Sequence, residues 1–558
     1  MKEIVNERKI FREFNKENFS RVLTHPFYAQ SVNRIKEKAE EQLATEPKFV
    51  SFAAMNEYYK NGTRDPYSKI YGDYTSRLSR YFFMYMATED EKYIMPLADV
   101  IWAICNLESW SNVAHVAEDL PIERRRILLD LSSTALAEQL AMVVYYMGEK
   151  LPALVLRRLK AQLRERCIES YANNDDYWWM RTTLNWAAVC AGNILSTYLF
   201  IAEEEEIEAQ LPRLLETLRL YITGFDDEGC CPEGYGYWNY GFIHYCLAAS
   251  MLRDYTDGKI NLFDNPKVHK IALFQQNAAI NDTQTIPFSD CASTFKPSIS
   301  LTHFLKSVYS DIEMPPLKAE NVEGIRRLLW INPEYTEEKM NPASMIYHGA
   351  QWFIYRSPEY NFACKAGSNN EPHNHNDIGS FVISKNGAVT YTDSGIGTYT
   401  KQYFDPPTRY DHVVTSSKGH SVPIINGNYQ VLGKEKSVIT VERECEYGFN
   451  MQNGYNIDTL TTLNRRFLCE KSGVSMTDTY EFSEAPQSVV ERFISLIEPT
   501  VTDEGVKVGE STLVYDKDIF ELSLSTGEAI RTYDTTVYFV DLKVKNPTAN
   551  FSVSVKFI

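Results

Sequence analysis

The sequence has little positive charge and no long hydrophobic run. Its 57 lysines and arginines face 74 aspartates and glutamates, which gives a formal net charge of −17. Proteins that bind nucleic acids or anionic membrane surfaces present a basic face, so this balance argues against both partners. No uncharged stretch reaches the length of a membrane-spanning helix, and the first residues lack the apolar run of a signal peptide. We therefore expect a cytoplasmic protein, or a periplasmic or secreted one if a leader was removed.

The sequence also lacks low-complexity tracts, clear internal repeats and the cysteine spacing of a zinc finger. Ten cysteines are scattered through 558 residues, mostly in apolar context. Such cysteines are typical of buried, reduced thiols rather than a disulfide framework. The vicinal pair Cys230-Cys231 could form a bridge only with strain. We predict free cysteines throughout.

Two periodicities divide the chain. As far as about residue 335, long amphipathic runs such as Arg124–Met147 and Glu203–Tyr221 predict consecutive helices, stacked as a solenoid or closed as an (α/α) toroid. From Met345 onward, short alternating or β-branched runs with Gly, Asn and Pro turns predict an antiparallel β-sandwich. Asn332–Pro342 is the expected linker.

The clearest chemical signal is the segment Glu371–Phe381, which contains His373-Asn-His375 and precedes Asp393 and His420. Imidazole nitrogens with a carboxylate suit Zn²⁺ better than Ca²⁺ or Mg²⁺, which prefer oxygen ligands. No pair of thiolates lies nearby. Histidines on a polar surface loop are the alternative interpretation.

The hairpin after this segment constrains the metal hypothesis. Pairing Phe381–Lys385 with Ala388–Asp393 across an Asn-Gly turn sets Asp393 opposite Ser380. A straight strand would then carry His375 away from Asp393. The two can meet only if the chain bends back between Asn376 and Gly379, and a glycine makes this bend feasible.

Two polar loops in the helical half are rich in Trp, Tyr and Asn, namely Asn173–Trp186 and Asp226–Gly241. Aromatic side chains with polar tips line sugar-binding clefts. An aromatic cluster that packs helices together is the alternative. The occurrence of two such loops before predicted helices favours the cleft.

Together these stretches resemble the heparinase II/III-like polysaccharide lyases. The resemblance covers most of the chain and rests on Asn185-Trp186, Glu233–Tyr240, His373–Asp377, Asp393 and His420–Gln430. It implies an α+β multidomain fold with an N-terminal (α/α) toroid, residues 1–335, followed by an antiparallel β-sandwich, residues 343–558.

The resemblance also implies roles for the histidine segment. His373 would be catalytic, while His375, Asp393 and His420 would hold one zinc ion that stiffens the loop carrying His373. Many relatives have Asn-Thr after the third ligand, where this chain has Ser-Val after His420. His412 is therefore a competing third ligand.

Lyases of this family cleave a 4-linked uronic acid by β-elimination, which removes the C5 proton beside a charged carboxylate. By resemblance, Asn185 binds that carboxylate, His373 helps to neutralise it or acts as base, and a tyrosine transfers protons. Tyr237 and Tyr240 both fit the tyrosine position. Tyr410 matches a second tyrosine of alginate-acting relatives, although it could also be packed in a polar loop.

The expected partner is a uronate-containing oligosaccharide or polysaccharide, and the acidic charge weakly favours short chains. The residues assigned to substrate binding are Trp186, Glu233, Trp238 and Arg409, of which Arg409 could instead be only solvated. A homodimer is left open. The rival functions are an (α/α)-toroid glycoside hydrolase, using two of the four acids between Asp226 and Glu233, and a non-catalytic carbohydrate-binding protein.

Overall fold

A computed structural model describes residues 7–316, 318–319, 321–337, 343–527 and 536–558. Helices dominate the first half of the chain and strands the second, as the two periodicities predict. The helices are α1 Lys16–Thr24, α2 Ala29–Leu43, α3 Phe52–Asn61, α4 Asp65–Thr88, α5 Ile94–Cys105, α6 Ile122–Arg126, α7 Leu131–Met147, α8 Ala153–Leu163, α9 Ser170–Ala172, α10 Asn185–Ile201, α11 Glu204–Thr223, α12 Tyr235–Tyr255, α13 Pro266–Asn277, α14 Ile299–Val308, α15 Ile325–Trp330, α16 Lys401–Phe404 and α17 Pro406–Arg409.

The strands form three antiparallel sheets. The first has the order β1-β2-β3-β4-β5, the second β12-β13-β14-β17-β10-β9-β8-β7 and the third β15-β16-β11-β6. The strands are β1 Met345–Tyr347, β2 Trp352–Arg356, β3 Tyr360–Lys365, β4 Phe381–Lys385, β5 Ala388–Tyr391, β6 Pro423–Ile425, β7 Val438–Arg443, β8 Glu446–Asn450, β9 Leu460–Glu470, β10 Gly473–Phe482, β11 Val489–Ser495, β12 Thr500–Val501, β13 Val506–Val508, β14 Ser511–Tyr515, β15 Phe520–Thr526, β16 Tyr538–Val544 and β17 Asn550–Phe557.

Backbone contacts group the chain into two compact units. The helical unit comprises the described residues of 1–224, 239–269 and 298–337, and the β-rich unit comprises 225–238, 270–297 and the described residues from 343 onward. Two segments of the helical half, 225–238 and 270–297, thus belong to the β-rich unit. The domain boundaries at 335 and 343 stay a prediction, because residues 338–342 of the expected linker lie outside the described residues.

Local capping decides where the helices of the helical unit begin. The helix predicted over Glu203–Tyr221 is α11, which Glu203 caps. The helix predicted from Arg124 is wrong at its start, because Asp130 begins a new helix at Leu131. The Asp130 carboxylate accepts from the Ser133 amide (2.7 Å), and the Ser133 hydroxyl accepts from the Asp130 amide (2.8 Å). This reciprocal capping box satisfies amides that the first helical turn leaves open.

The core of the β-rich unit contains a buried ionic network beside its apolar side chains. Arg465 is fully buried and donates to Asp478 (2.6 Å) and Glu491 (3.1 Å). Its guanidinium also donates to the carbonyls of Gly379 (2.9 Å) and Ser421 (2.8 Å). Buried charges of this kind are stable only when paired and hydrogen-bonded. The network therefore fixes the backbone next to Ile378 and His420.

The predicted hairpin register is correct only near its turn. Lys385 pairs with Ala388 and Ser384 with Val389, but Ile383 pairs with Tyr391, so Thr390 is an extra residue. The predicted pairing of Asp393 with Ser380 is therefore wrong, and β5 ends at Tyr391. A β-bulge inserts one residue and re-aims the chain that follows it. Asp393 thus lies beyond the ladder.

All ten cysteines are free, as predicted; nine are buried and Cys445 is exposed. Within the described part of the chain, no helix combines the length and apolarity that crossing a membrane requires.

Candidate active site and metal centre

Four buried side chains of the β-rich unit converge on one point. They are His375, Asp377, Asp393 and His420, and one ligand atom from each lies within 4.8 Å of the others. The sequence named three of the four as metal ligands and missed Asp377. His412, the competing third ligand, is not a member of this cluster. Its ring instead contacts that of Tyr403, with 5.5 Å between centroids.

Each residue of the cluster turns one polar atom inward and anchors the other. The inward atoms, His375 Nδ1, Asp377 Oδ2, Asp393 Oδ2 and His420 Nδ1, are buried without a hydrogen-bond partner. The outward atoms are bonded: His375 Nε2 lies 3.0 Å from Asp290 Oδ1, Lys365 Nζ donates to Asp377 Oδ1 (2.7 Å), the Gly395 amide donates to Asp393 Oδ1 (2.8 Å), and His420 Nε2 donates to the Val414 carbonyl (2.9 Å). Buried polar atoms without partners are costly, so four that face one another form a site that could hold a metal ion.

The distances and charges of the cluster fit a metal ion. His420 Nδ1 and Asp393 Oδ2 are 3.1 Å apart without forming a hydrogen bond. Two ligands of a tetrahedral zinc ion are separated by roughly 3.3 Å. Burial lowers the pKa of His420, but the Asp393 carboxylate outweighs it and raises that pKa above its usual value. Burial likewise raises the pKa of Asp377, whereas the net shift is downward because of Lys365 and the two histidines.

The bend predicted between Asn376 and Gly379 is present and brings the ligands together. Gly379 has a φ of +94°, and its amide donates to the Lys365 carbonyl (2.8 Å). A side chain at this position would place a Cβ atom 2.5 Å from the Met451 sulfur. Only glycine combines that conformation with that space. The turn therefore lets the segment carrying His375 reverse before β4 begins.

Beside the cluster, the ring of His373 stacks on the ring of Tyr237. Their centroids are 3.9 Å apart and their planes differ by 19°. His373 has a φ of +54°, which is uncommon for a residue other than glycine and is found at functional sites. Its Nε2 atom lies 3.7 Å from Glu233 Oε2, too far for a hydrogen bond. Tyr237, His373 and Glu233, all predicted site residues, thus lie together.

The Tyr237 hydroxyl lies 2.8 Å from the Tyr399 hydroxyl. Burial, followed by the negative charge of Asp290, raises the pKa of Tyr237 far above its usual value. Burial and the same carboxylate also raise the pKa of Tyr399. Both hydroxyls therefore keep their protons at neutral pH. The sequence did not single out Tyr399, which follows Asp393 by six residues.

Asp290 is the third site residue that the sequence missed, after Asp377 and Tyr399. One carboxylate oxygen lies 3.1 Å from His373 Nδ1, and the other lies 3.0 Å from His375 Nε2. Burial alone would raise the pKa of Asp290, but the hydrogen bonds of His373 and His375 and the charge of Arg409 hold it well below the usual range. Asp290 is a single acidic residue in a segment that the sequence assigned to the helical half. It has no characteristic spacing from another candidate residue that would identify it as part of a site.

Arg409 and Tyr410 are held by the histidine segment itself. The Arg409 guanidinium is buried and donates to Asp290 (3.2 Å) and to the Asn374 carbonyl (2.9 Å), so it is not merely solvated. The half-buried Tyr410 donates its hydroxyl to the Asn374 side chain (2.9 Å). In this structure Arg409 serves the internal network rather than presenting its charge to a ligand.

Trp238 was assigned to substrate binding, but its side chain is fully buried. Its indole nitrogen donates to the Ile271 carbonyl (2.8 Å), and its ring packs near Phe274. A tryptophan with a satisfied N–H and no exposed face belongs to the core. The structure thus places Trp238 where it offers no surface to a sugar.

The remaining predicted residues belong to the helical unit. Asn185 is buried and is the first residue of α10. The neighbouring Trp186 is partly exposed and contacts Trp178, whose side chain is 53% exposed, with 4.9 Å between ring centroids. Tyr240 lies in α12 and meets the ring of His244 edge-on. The loop before α10 therefore has an exposed aromatic surface.

A cavity of about 880 Å³ also lies in the helical unit. Aromatic side chains line it, including Phe49, Phe52, Tyr59 and Trp102, and its polar lining includes Asp99 and Arg125. None of the predicted site residues lines this cavity. Its lining therefore shares no residue with the candidate site of histidines and tyrosines.

Comparison with known proteins gives a fold but no sequence family. No protein-family model and no curated protein matches the chain. A crystal structure of heparinase III matches with a TM-score of 0.64 and 14% identity, covering 96% of this chain and 92% of the other. Heparan sulfate lyase from Pedobacter heparinus matches at 0.57 and 12%, covering 97% and 90%.

The Streptomyces coelicolor chondroitin AC lyase, solved in complex with chondroitin sulphate, matches at a TM-score of 0.60 and 10% identity, covering 97% of this chain and 82% of that one. At such identities the matches establish the fold alone. That fold is a helical toroid followed by an antiparallel β-sandwich, as in heparinase III, so the predicted fold class is confirmed.

Proposed function

We propose that this protein is a polysaccharide lyase that cleaves uronic-acid-containing glycans by β-elimination. The observation that supports this most is the stack of Tyr237 on His373, because it brings a phenol ring and an imidazole into contact. The fold that the chain shares with heparinase III and chondroitin AC lyase also supports this chemistry. The substrates named for those proteins become candidates for this one.

The elimination requires neutralisation of the uronate carboxylate before the C5 proton can leave. Hydrogen-bond donors placed where the negative charge develops typically contribute several kcal/mol to such steps. We assign this role to Asn185, as the family resemblance implies. Asn185 begins α10, so its position is fixed by a long buried helix.

We assign the proton-abstracting role to His373. Its Nδ1 atom is bonded to Asp290, which leaves Nε2 to accept a proton from substrate. A general base contributes roughly 10²- to 10⁴-fold to the rate when it is correctly placed. The side chain is 18% exposed, so part of it remains accessible.

We assign proton donation to Tyr237. A phenol whose pKa is raised by burial stays protonated, so its hydroxyl holds the proton that the leaving oxygen needs. Its contact with His373 favours it over Tyr240 for this role. The Tyr410 hydroxyl already donates to Asn374, which makes it the second choice as donor.

We propose that the cluster of His375, Asp377, Asp393 and His420 binds one zinc ion. Two neutral imidazoles and two carboxylates complete a four-coordinate set whose negative charge balances Zn²⁺. When bound, the ion supplies a fixed positive charge and ties three loop segments together. Its role here is to hold the segment that carries His373, as expected for a closed structural site.

We propose uronate oligosaccharides or polysaccharides as substrates. Phe404 is 44% exposed and meets the His373 ring edge-on at 6.2 Å between centroids. An exposed aromatic ring beside the reacting group offers a face on which a sugar ring can stack. The net charge of −17 favours short anionic chains over long ones.

The direct test is a screen of alginate, heparan sulfate, hyaluronan, chondroitin and bacterial exopolysaccharide oligomers. We expect at least one to yield a product with a C4=C5 double bond, detected by ultraviolet absorbance and mass spectrometry. The His373→Ala protein is the control and should give no signal. New reducing ends without unsaturation would instead support the glycoside hydrolase, and binding without cleavage would support the carbohydrate-binding protein.

A further inference from the structure

Asp290 joins two histidines that the proposed function assigns to different tasks. Its Oδ1 atom lies 3.0 Å from Nε2 of the metal ligand His375, and its Oδ2 atom lies 3.1 Å from Nδ1 of the reacting His373. The carboxylate is fully buried. A single side chain thus contacts both rings, one with each oxygen.

The other partners of Asp290 determine the direction of these hydrogen bonds. Arg409 donates to Oδ2 (3.2 Å) and the Tyr403 hydroxyl donates to Oδ1. A guanidinium can only donate, and an ionised carboxylate can only accept. Both histidine nitrogens that face Asp290 must therefore carry hydrogen.

The other nitrogen of each ring then has a lone pair, which can bind a metal ion in His375 and accept a proton in His373. A hydrogen on His375 Nε2 leaves the lone pair on Nδ1, the atom that points into the cluster of four ligands. A hydrogen on His373 Nδ1 leaves Nε2 as the atom available to a substrate proton. The partner of one ring nitrogen decides what the other can do.

We propose that Asp290 is a positioning residue that fixes the tautomers of His373 and His375 together and thereby couples the metal centre to the reacting imidazole. The part concerning His373 rests on the proposed lyase function, whereas the part concerning His375 does not. Carboxylates that orient metal-binding histidines are a recurring device in metal sites. Here the same carboxylate also orients a second histidine.

The backbone supports this coupling. Arg409 donates to the carbonyl of Asn374, the residue between the two histidines, as well as to Asp290. The carboxylate, the guanidinium and the His373-Asn374-His375 segment therefore form one closed network. A role limited to neutralising Arg409 would not require both imidazoles to lie on the carboxylate.

The first experiment reads the tautomers in the zinc-loaded wild-type protein. Histidine labelled with ¹⁵N gives ring-nitrogen NMR shifts that distinguish protonated, unprotonated and metal-bound nitrogens, and the His373→Ala and His375→Ala spectra assign the two rings. We expect His375 with hydrogen on Nε2 and metal on Nδ1, and His373 with hydrogen on Nδ1. Metal on His375 Nε2, or an Nδ1 of His373 without hydrogen, overturns the proposal.

The second experiment compares Asp290→Asn with a matched control, Asp226→Asn. Asp226 is a partly buried acid of the same unit, and its carboxylate accepts from the Cys230 amide (2.6 Å). In Asp290→Asn, an NH₂ group replaces one of the two carboxylate oxygens and cannot accept the hydrogen bonds that this oxygen received. The histidine ring that faces the NH₂ group must then change its tautomer or its orientation. We expect zinc affinity, measured by competition with a chelator, to weaken roughly 10- to 100-fold in Asp290→Asn. It should stay at the wild-type value in the control.

Activity completes the test. We expect kcat of Asp290→Asn to fall at least about 10²-fold with little change in KM, since the substrate contacts remain while the base is misoriented. Wild-type zinc affinity in a folded Asp290→Asn protein overturns the coupling even if the protein is a lyase. If wild-type protein cleaves no uronate glycan, the proposed function fails, and the tautomer and zinc measurements still decide the metal half of the proposal.

Discussion

The ring of Tyr237 lies parallel to the imidazole of His373 at 3.9 Å, although 136 positions separate them in the sequence. Segment 225–238 leaves the helical half and joins the β-rich unit, which makes this contact possible. The stack places the phenol ring against the ring of the proposed base. It also leads to the first prediction.

Replacing Tyr237 by Phe should abolish elimination while preserving the stack. The change removes only a hydroxyl, so we expect kcat to fall at least about 10²-fold with KM and thermal stability nearly unchanged. Steady-state kinetics on the glycan found in the screen measures the effect. Tyr240→Phe is the control and should keep near-normal turnover. The reverse result would transfer the proton-donating role to Tyr240, and normal turnover in both would contradict the lyase mechanism.

The metal centre should depend on four residues rather than three. We expect about one zinc per chain in purified protein, and loss of that zinc in His375→Ala, Asp393→Ala and Asp377→Asn. Each kcal/mol of lost stability lowers the Tm by about 2–4 °C for a unit of this size. Metal analysis by mass spectrometry together with calorimetry provides the measurement.

Two variants serve as controls for the metal prediction. His412→Ala should keep its zinc, because His412 is not a member of the cluster. His373→Ala should keep its zinc and lose activity, which separates catalysis from metal binding. Zinc retained in Asp377→Asn would reduce the ligand set to the three residues named from the sequence.

Gly379→Ala should destabilise the β-rich unit. The added methyl group forces a residue with a side chain into a φ of +94° and meets the Met451 sulfur at 2.5 Å. Strain of this kind costs roughly 1–3 kcal/mol. Gly387→Ala is the matched control, since its φ is +82° but nothing lies within 4 Å of the added atom. Denaturant unfolding should show a clearly larger loss at 379; equal losses would exclude a contribution from Met451.

Acid should destabilise the helical unit through His244. Burial, helped by Arg327 and Arg326, lowers the pKa of this histidine to about 3. Below pH 6.5 the histidine is therefore protonated in the unfolded chain, where its pKa is near the ordinary value of 6.5, but remains neutral in the folded protein. Stability is full above pH 6.5 and falls by up to about 1.4 kcal/mol per pH unit as the pH drops toward 3.

The measurement is the free energy of unfolding at several pH values in wild type and His244→Gln. The glutamine amide can still donate to Asn193, which lies 2.9 Å from His244 Nδ1, but it does not titrate. We expect a flatter pH profile in His244→Gln between pH 6 and 4. Identical slopes in the two proteins would contradict the assignment.

Part of the candidate site could be predicted from sequence because its chemistry is concentrated in short segments. His373 and His375 lie two residues apart, and the glycine that allows the bend follows four residues later. That stretch contains one of the three ligands proposed from the sequence, His375, together with the glycine needed for the turn, whereas Asp393 and His420 follow it. Asp377 lies in the same stretch, but without coordinates an acid beside Asn and Ile resembles an ordinary turn residue.

The register of the hairpin could not be predicted, because the bulge at Thr390 depends on partners outside the hairpin. The Thr390 hydroxyl lies 3.0 Å from that of Ser511, 121 residues away. An Asn-Gly turn defines the pairing next to it. It does not determine where a strand will admit an extra residue.

The order of helices before strands, the free cysteines and the two histidines of the candidate metal site could all be predicted from the sequence, because periodicity and short motifs act over a few residues. Only the tertiary structure shows that Asp290 reaches across 83 positions to His373, that Lys365 donates to Asp377 and that Trp238 is buried in the core. Those contacts depend on how distant segments pack. Whether a buried polar atom is hydrogen-bonded, binds a ligand or lacks a partner can be decided only when its neighbours in space are known.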